Sequence, residues 1–161
     1  MKTFNATISQ AILIILVGFG GFSCSDKDEP TFDQRDMVVG SYRYTAKVHD
    51  QSGEQFINGT LSVAKRDNTL LTVVIDGQQM IGSKVSGDAT GTLFDLEPVV
   101  LSDQQGDAYR LHGIGRYQHQ GVTYHAFYDD QIRALSLTLA TDYVNNTYDQ
   151  YNTLVEFEAH R

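Results

Sequence analysis

Three histidines lie close together in the sequence, and they are the side chains best suited to bind a metal. His112, His119 and His125 fall around one predicted hairpin. A pair of histidines on neighbouring strands can bind a metal ion only in one register, because a shift of one residue separates the two side chains. The single cysteine, Cys24, is far away, and no close carboxylate completes a tetrahedral set. We therefore expect exposed or core-packed histidines and no metal site.

Acidic side chains occur in two patterns that suggest calcium binding or acid–base catalysis. The segment 142–149 offers Asp and Asn oxygens, but it lacks the glycine and terminal glutamate of an EF-hand loop. Asp95 and Glu97 lie two residues apart and share a face of a predicted strand, where we expect them to be solvated. The chain also lacks the Gly-x-Ser-x-Gly elbow and the histidine–glutamate zinc motif. We expect no catalytic residue, no cofactor and no enzymatic activity.

One predicted strand carries glycines between aromatic residues on a single face. The members of this face are Tyr109, Leu111, Gly113, Gly115 and Tyr117. Glycine inside a strand marks a bend or the close approach of another group. One interpretation is barrel curvature, with aromatic rings lying over the gap. The other is a space that the glycines leave for a small apolar ligand between the two tyrosines, which makes this face a candidate binding site.

A second candidate site is a loop rich in tyrosine near the end of the chain. Tyr143, Tyr148 and Tyr151 alternate there with Asn and Asp. Exposed tyrosines beside amides suit stacking on a glycan or contact with a protein partner. The alternative is that at least one of them folds over the mouth of a barrel as a lid. The sequence leaves both interpretations open.

The elements that position these residues are all strands. Residues 41–49 alternate strictly, with Tyr42, Tyr44, Ala46 and Val48 on one side and Arg43 among the residues of the other. A period of two indicates a strand with one buried face. About nine such short segments follow one another, separated by turn signals such as Asp76-Gly77, and the chain after residue 23 shows no helical stripe of ten or more residues. We predict an all-β fold, an antiparallel meandering barrel of eight to nine strands, with a β-sandwich as the second choice.

The amino-terminal segment has its own character. An apolar stretch of about a dozen residues begins near Ala11 and ends before Ser23-Cys24. It is too short for the roughly 20 residues that span a bilayer. The stretch, the small residue and the lone cysteine resemble a bacterial lipoprotein signal peptide. The resemblance implies removal of residues 1–23, lipidation of Cys24 and anchoring to a membrane through the attached lipid; ordinary secretion is the alternative.

An acidic segment follows the cysteine. Ser25-Asp26-Lys27-Asp28-Glu29 resembles the export signal of surface lipoproteins in Bacteroidota-type bacteria, and the alternative is a solvated linker. We expect the mature protein in the cell envelope, as an outer-membrane lipoprotein exposed at the surface. Removal of residues 1–23 leaves 138 residues and changes the net charge from −8 to −9. Because nucleic acids require a basic surface, we expect no nucleic-acid partner.

The body of the chain also resembles a family. Gly40-Ser41-Tyr42 opens the first strand, hairpins join most strands, and about 130 residues follow the signal. This layout resembles the calycin-like, lipocalin-like β-barrel lipoproteins of Bacteroidota-type bacteria, although the tryptophan that lipocalins place near the opening glycine is absent. The resemblance implies a barrel domain over residues 37–161, preceded by a lipidated cysteine and linker at 24–36.

Two functions fit this organisation. The first is a non-enzymatic surface lipoprotein that binds a small apolar ligand or a glycan in or at the mouth of the barrel. The second is a structural or protein-interaction module of the cell envelope with a filled barrel. The interior discriminates between them. An open space beside Gly113 and Gly115 favours a ligand, whereas an interior filled by Tyr109, Tyr117 and the leucines of residues 135–139 favours the interaction module.

Overall fold

A computed structural model describes residues 32–102, 106–143 and 153–161. The residues from Asp33 to Arg161 form one compact unit. The described elements are one short helix and twelve strands: α1 (Arg35–Val38), β1 (Gly40–Asp50), β2 (Gly53–Lys65), β3 (Leu71–Ile75), β4 (Gln78–Asp88), β5 (Gly91–Leu96), β6 (Val99–Ser102), β7 (Ala108–Gly113), β8 (Tyr117–His119), β9 (Val122–Tyr124), β10 (Ala126–Asp129), β11 (Ala134–Tyr143) and β12 (Thr153–His160).

Eight of these strands close into an antiparallel barrel. Around the ring the order is β1, β2, β3, β4, β5, β10, β11 and β12, and β12 pairs with β1. Closure depends on β10, which pairs with β5 on one side and with β11 on the other. The predicted all-β barrel is therefore confirmed, in preference to the sandwich.

Four strands lie outside the ring. β7 pairs with the later half of β11, from Leu139 to Tyr143, and β6 pairs with β7. β8 and β9 form a separate two-stranded hairpin. β6 and β7 extend the same sheet beside β11. β5 contacts β7 and β9 besides its barrel neighbours, and all six of its residues are buried. The sequence predicts one continuous strand from Ala108 to Tyr117, and this is wrong, because β7 ends at Gly113 and β8 begins at Tyr117.

The alternation of the sequence places the core. In β1 the side chains of Tyr42, Tyr44, Ala46 and Val48 are buried, and those between them point outward. At the turn between β3 and β4, Asp76 has φ of 46° and Gly77 φ of 88°. These values belong to the type I′ turn that Asp-Gly favours in two-residue hairpins. The turn fixes the register that points Leu71, Val73 and Ile75 inward.

The barrel interior is filled by large side chains. Tyr44 packs edge-on against Phe157 with ring centroids 4.9 Å apart, and Tyr42 packs against Tyr128 at 6.2 Å. Edge-to-face geometry is favourable for such pairs. The leucines of β11 complete the core together with residues from the other strands: Leu61, Val63, Met80, Phe94, Leu96, Leu135, Leu137 and Leu139.

The helix α1 packs against the start of β1 and β5. Val38 is fully buried in the core, and its carbonyl oxygen accepts a hydrogen bond of 2.5 Å from the Tyr42 hydroxyl. The Thr92 hydroxyl donates to the carbonyl oxygen of Gln34 at 2.9 Å. Arg161 donates to the carbonyl oxygens of Met37 at 2.5 Å and Val39 at 2.7 Å. The segment that precedes β1 is therefore held by bonds from three strands or their ends.

Candidate functional site

The two glycines proposed to border a cavity are each covered by a side chain. A methyl group placed on Gly113 would lie 2.4 Å from Nδ1 of His125, and one on Gly115 would lie 2.7 Å from Cγ2 of Thr123. Real Cβ atoms do not approach other atoms so closely. Both glycines therefore mark a close approach of β9 and of the connection between β9 and β10.

The tyrosines at the ends of the predicted face are separated by the break between β7 and β8. Tyr109 and Leu111 lie half-buried on β7 together with Gly113. Tyr117 lies on β8, where its ring is 5.8 Å from that of Phe127, a residue of β10 that alternates with the inward Ala126 and Tyr128. Burial raises the pKa of Tyr117. The structure therefore brings three of the five residues together on β7 and places Tyr117 on the separate hairpin of β8 and β9.

Of the other residues that the sequence singled out, Tyr143 is described, at the end of β11. Its side chain is 44% exposed. Cys24, Tyr148 and Tyr151 lie outside the described residues.

Asp95 is buried, which corrects the expectation that it shares a solvated face with Glu97. It is 7% exposed, whereas Glu97 is exposed. One carboxylate oxygen binds Lys84 at 2.8 Å, and the other lies 3.7 Å from Nδ1 of His125. Nδ1 in turn accepts the Leu96 amide hydrogen at 3.0 Å. The contacts with Lys84 on β4 and with His125 between β9 and β10 accompany this burial, and the alternation of β5 carries no signal of them.

His112 and His125 have separate partners. His112 lies 3.5 Å from the carboxylate of Asp142, which also binds Arg110 at 2.6 Å. The hydrogen bond from Arg110 holds the pKa of Asp142 below its usual range. Within residues 32–102, 106–143 and 153–161, no group of three or more His, Cys, Asp or Glu is arranged to hold a metal ion.

A groove of about 700 Å³ crosses the outer face of β12, β1, β2 and β3. It falls within the 300–1,000 Å³ that small-ligand sites occupy. Hydroxyl and charged side chains surround an apolar floor that includes Val74. The lining residues are Ser41, Tyr42, Arg43, Thr60, Leu61, Ser62, Val74, Asp76, Gly77, His160 and Arg161.

We call this groove the outer groove. Its charged side chains differ in whether groups of the same chain already bind them. Asp76 accepts hydrogen bonds from the Tyr44 hydroxyl and, at 3.0 Å, from the Thr60 amide, and these bonds lower its pKa. Arg161 is engaged with the backbone before β1. The exposed guanidinium of Arg43 has no ion pair with any described residue. Arg43 is therefore the cation that can receive an external anion.

A smaller groove of about 330 Å³ lies further along the same outer face. Arg116 and Glu156 form an ion pair of 2.8 Å across it, and Phe56 on its rim is 69% exposed. Neither groove is predicted as a site by the sequence. The outward position of Arg43 follows from the alternation of β1, but the curvature that makes the surface concave does not.

No protein-family model, curated protein or solved structure matches this chain. In the described part of the chain, no helix has the length and apolar character needed to cross a membrane.

Proposed function

We propose that this protein is a non-enzymatic, lipid-anchored interaction module of the cell envelope. It would act through the outer face of a filled barrel. The observation that carries the proposal is the occupied interior. Tyr42, Tyr44, Phe94, Tyr128 and Phe157 pack there with the leucines of β11. The spaces beside Gly113 and Gly115, which the alternative of a bound apolar ligand requires, are occupied by His125 and Thr123.

The outer groove is the proposed contact surface. It combines an unpaired cation, Arg43, with the hydroxyls of Ser41, Thr60 and Ser62 and with apolar surface at Val74. Hydroxyls and an arginine can bind an extended backbone and one carboxylate, because guanidinium pairs with a carboxylate through two parallel hydrogen bonds. The partner we propose is an acidic segment of another envelope protein.

The location rests on the amino-terminal sequence. Cys24 follows an apolar stretch of signal-peptide length, and an acidic segment follows it. Two acyl chains suffice for stable attachment to a membrane. The barrel would then face its partner from the membrane surface.

Photo-cross-linking in host cells tests the proposal. A photoreactive amino acid at Ser62, in the outer groove, should give one protein adduct of defined mass in the envelope fraction. The same group at Ala89, in the exposed turn before β5, should not. The substitution Arg43→Glu should reduce the adduct by roughly an order of magnitude, because charge reversal places two anions together. Arg66→Glu, an equal change in an exposed turn outside the groove, should leave it unchanged.

Three results would contradict the proposal. Equal adducts from Ser62 and Ala89 would indicate non-specific contact. A small-molecule mass retained by the protein in native mass spectrometry would favour ligand transport instead. If an alkyne-bearing fatty acid fails to label the wild-type chain, or labels Cys24→Ser equally, the proposed lipid anchor at Cys24 is contradicted.

A further inference from the structure

β2 is longer than the strand on its outer side, and this leaves part of it as an open edge. β1 pairs with β2 along its whole length, from Gly40 opposite Val63 to Asp50 opposite Gly53. β3 pairs with β2 only from Leu61 to Lys65. Residues 54–59 of β2 therefore have no strand on the side away from β1 among the described residues.

The free backbone groups of this edge can be assigned. Thr60 accepts a hydrogen bond at its carbonyl oxygen from the Asp76 amide and donates its own amide to the Asp76 carboxylate. Both groups of Thr60 thus point away from β1. Because backbone groups alternate along a strand, those of Glu54, Phe56 and Asn58 point the same way. No described residue bonds them on that side.

The edge carries one charged side chain, Glu54, and none of the other features that keep strands from associating. Natural edges are protected by lysine, proline, bulges or a covering element. Residues 54–59 contain no lysine and no proline, and they pair with β1 without a bulge. Two large apolar side chains are exposed, Phe56 at 69% and Ile57 at 40%. A partner strand would cover both.

We propose that a second copy of this chain pairs with this edge, strand to strand and antiparallel, about a two-fold axis at Phe56. This arrangement lets Glu54, Phe56 and Asn58 exchange about six backbone hydrogen bonds with the partner subunit. A two-fold interface requires a surface that complements itself. The edge meets this requirement in both side-chain pairing and charge.

The side-chain pairing places no like charges opposite each other. Phe56 faces Phe56 of the partner subunit, and aromatic cross-strand pairs are stabilising. Glu54 faces Asn58 of the partner subunit. The carboxylate of Glu54 is already neutralised within its own chain, since it binds Lys47 at 2.8 Å and His49 at 3.1 Å. The acidic net charge of −8 is therefore not concentrated at this edge.

The two ends of the open edge also fit each other across the two-fold axis. The carboxylate of Asp76 accepts the amide hydrogen of Thr60 and lies against Gly59. A methyl group added to Gly59 would lie 2.5 Å from Oδ1 of Asp76. The open edge ends at this carboxylate. Opposite Gly59 the two-fold arrangement places Gly53 of the partner subunit, and nothing lies within 4 Å of a methyl group built on Gly53.

Cysteine cross-linking of the full chain in host cells tests the register. In this pairing Gln55 faces Ile57 of the partner subunit as a non-hydrogen-bonded pair with Cα atoms about 4.5 Å apart, within disulfide range. Chains with Gln55→Cys and chains with Ile57→Cys, carrying tags of different size, are co-expressed and oxidised. We expect a mixed dimer several-fold more abundant than the dimers of either variant alone, and none above background from wild type, whose one cysteine is Cys24.

Sedimentation of the full chain in detergent provides an independent readout. Phe56→Lys should weaken the dimer at least tenfold by placing two ammonium groups together. Ile132→Lys, a matched change at a residue that is 64% exposed, should leave it intact. A monomeric wild type at all concentrations, or equal cross-linking from the single variants, would overturn the proposal. Neither measurement depends on the outer groove. Failure of the dimer proposal would therefore leave the proposed function unaffected.

Discussion

At the scale of single residues, Gly113 decides between the two interpretations of the glycine-bearing strand. Its missing side chain is not an empty site, because the imidazole of His125 occupies the space. That imidazole is fixed in turn by the Leu96 amide, which donates to Nδ1 at 3.0 Å. Glycine is required here by close packing, not by a positive φ.

We predict that Gly113→Ala lowers the free energy of unfolding by about 1–3 kcal/mol, the usual effect of inserting a methyl group into a packed region. The imidazole must move and give up its bond to the Leu96 amide. Urea denaturation measures the change.

The control is the double variant Gly113→Ala, His125→Ala. If contact with His125 is the cause, the two substitutions together should destabilise the protein less than the sum of the two single effects. Additive effects would show that contact with His125 is not the cause, and an unchanged stability of Gly113→Ala would show that the space beside Gly113 is open.

At the scale of elements, the sequence predicted strands well where one face meets solvent. The prediction of the inward face of β1 was correct at all four buried positions. These are Tyr42, Tyr44, Ala46 and Val48, which alternate with polar residues. Alternation along one strand carries no information about contacts with residues far away in the sequence. Asp95 was therefore placed in solvent, although it is buried and its carboxylate lies against Lys84 and His125. The same limit applies to the candidate site. The sequence predicts Tyr109, Leu111 and Tyr117 on one strand, whereas Tyr109 and Leu111 lie on β7 and Tyr117 lies on β8.

Arg161, which directly follows β12, is one of three side chains that hold the element before β1. Arg161 donates to the carbonyl oxygens of Met37 and Val39, and its guanidinium lies 5.3 Å from the ring centroid of Tyr42 and 5.0 Å from that of Tyr128. Arginine suits this position because its planar group stacks on rings and donates at its edge.

We predict that Arg161→Ala lowers the free energy of unfolding by roughly 1–3 kcal/mol, because charge-assisted hydrogen bonds and cation–π contacts are lost together. Arg161→Lys should restore less than half of the loss, since an ammonium group cannot both stack and donate in a plane. Hydrogen exchange should report faster opening at residues 35–39. Arg133→Ala, at an exposed residue, is the control, and equal effects of the two alanine variants would refute the role of Arg161.

At the scale of the whole molecule, a filled barrel places binding on the outside and makes stability depend on buried polar groups. Tyr42 and Tyr44 are 2% and 4% exposed, so their hydroxyls lie within the packed wall. The Tyr42 hydroxyl donates to Val38, and that of Tyr44 donates to Asp76. Burial raises the pKa of each tyrosine to about 12.

These raised pKa values predict a loss of stability at alkaline pH. The unfolded chain releases the proton of each tyrosine near pH 10, whereas the folded protein retains it until about pH 12. Below pH 10 both states are protonated and the two groups add no pH dependence. Between pH 10 and 12 the folded state binds more protons, so the free energy of unfolding falls as pH rises, by up to about 2 kcal/mol per tyrosine.

Urea denaturation at pH 9 and pH 11 measures this decline. Tyr44→Phe should be less stable than wild type at pH 9, because Asp76 loses its hydroxyl donor, but its stability should fall less between the two pH values. Tyr143→Phe removes a hydroxyl from a side chain that is 44% exposed and should leave the decline unchanged. If the stability of Tyr44→Phe also declines as steeply as that of wild type, the alkaline loss does not arise from the buried Tyr44.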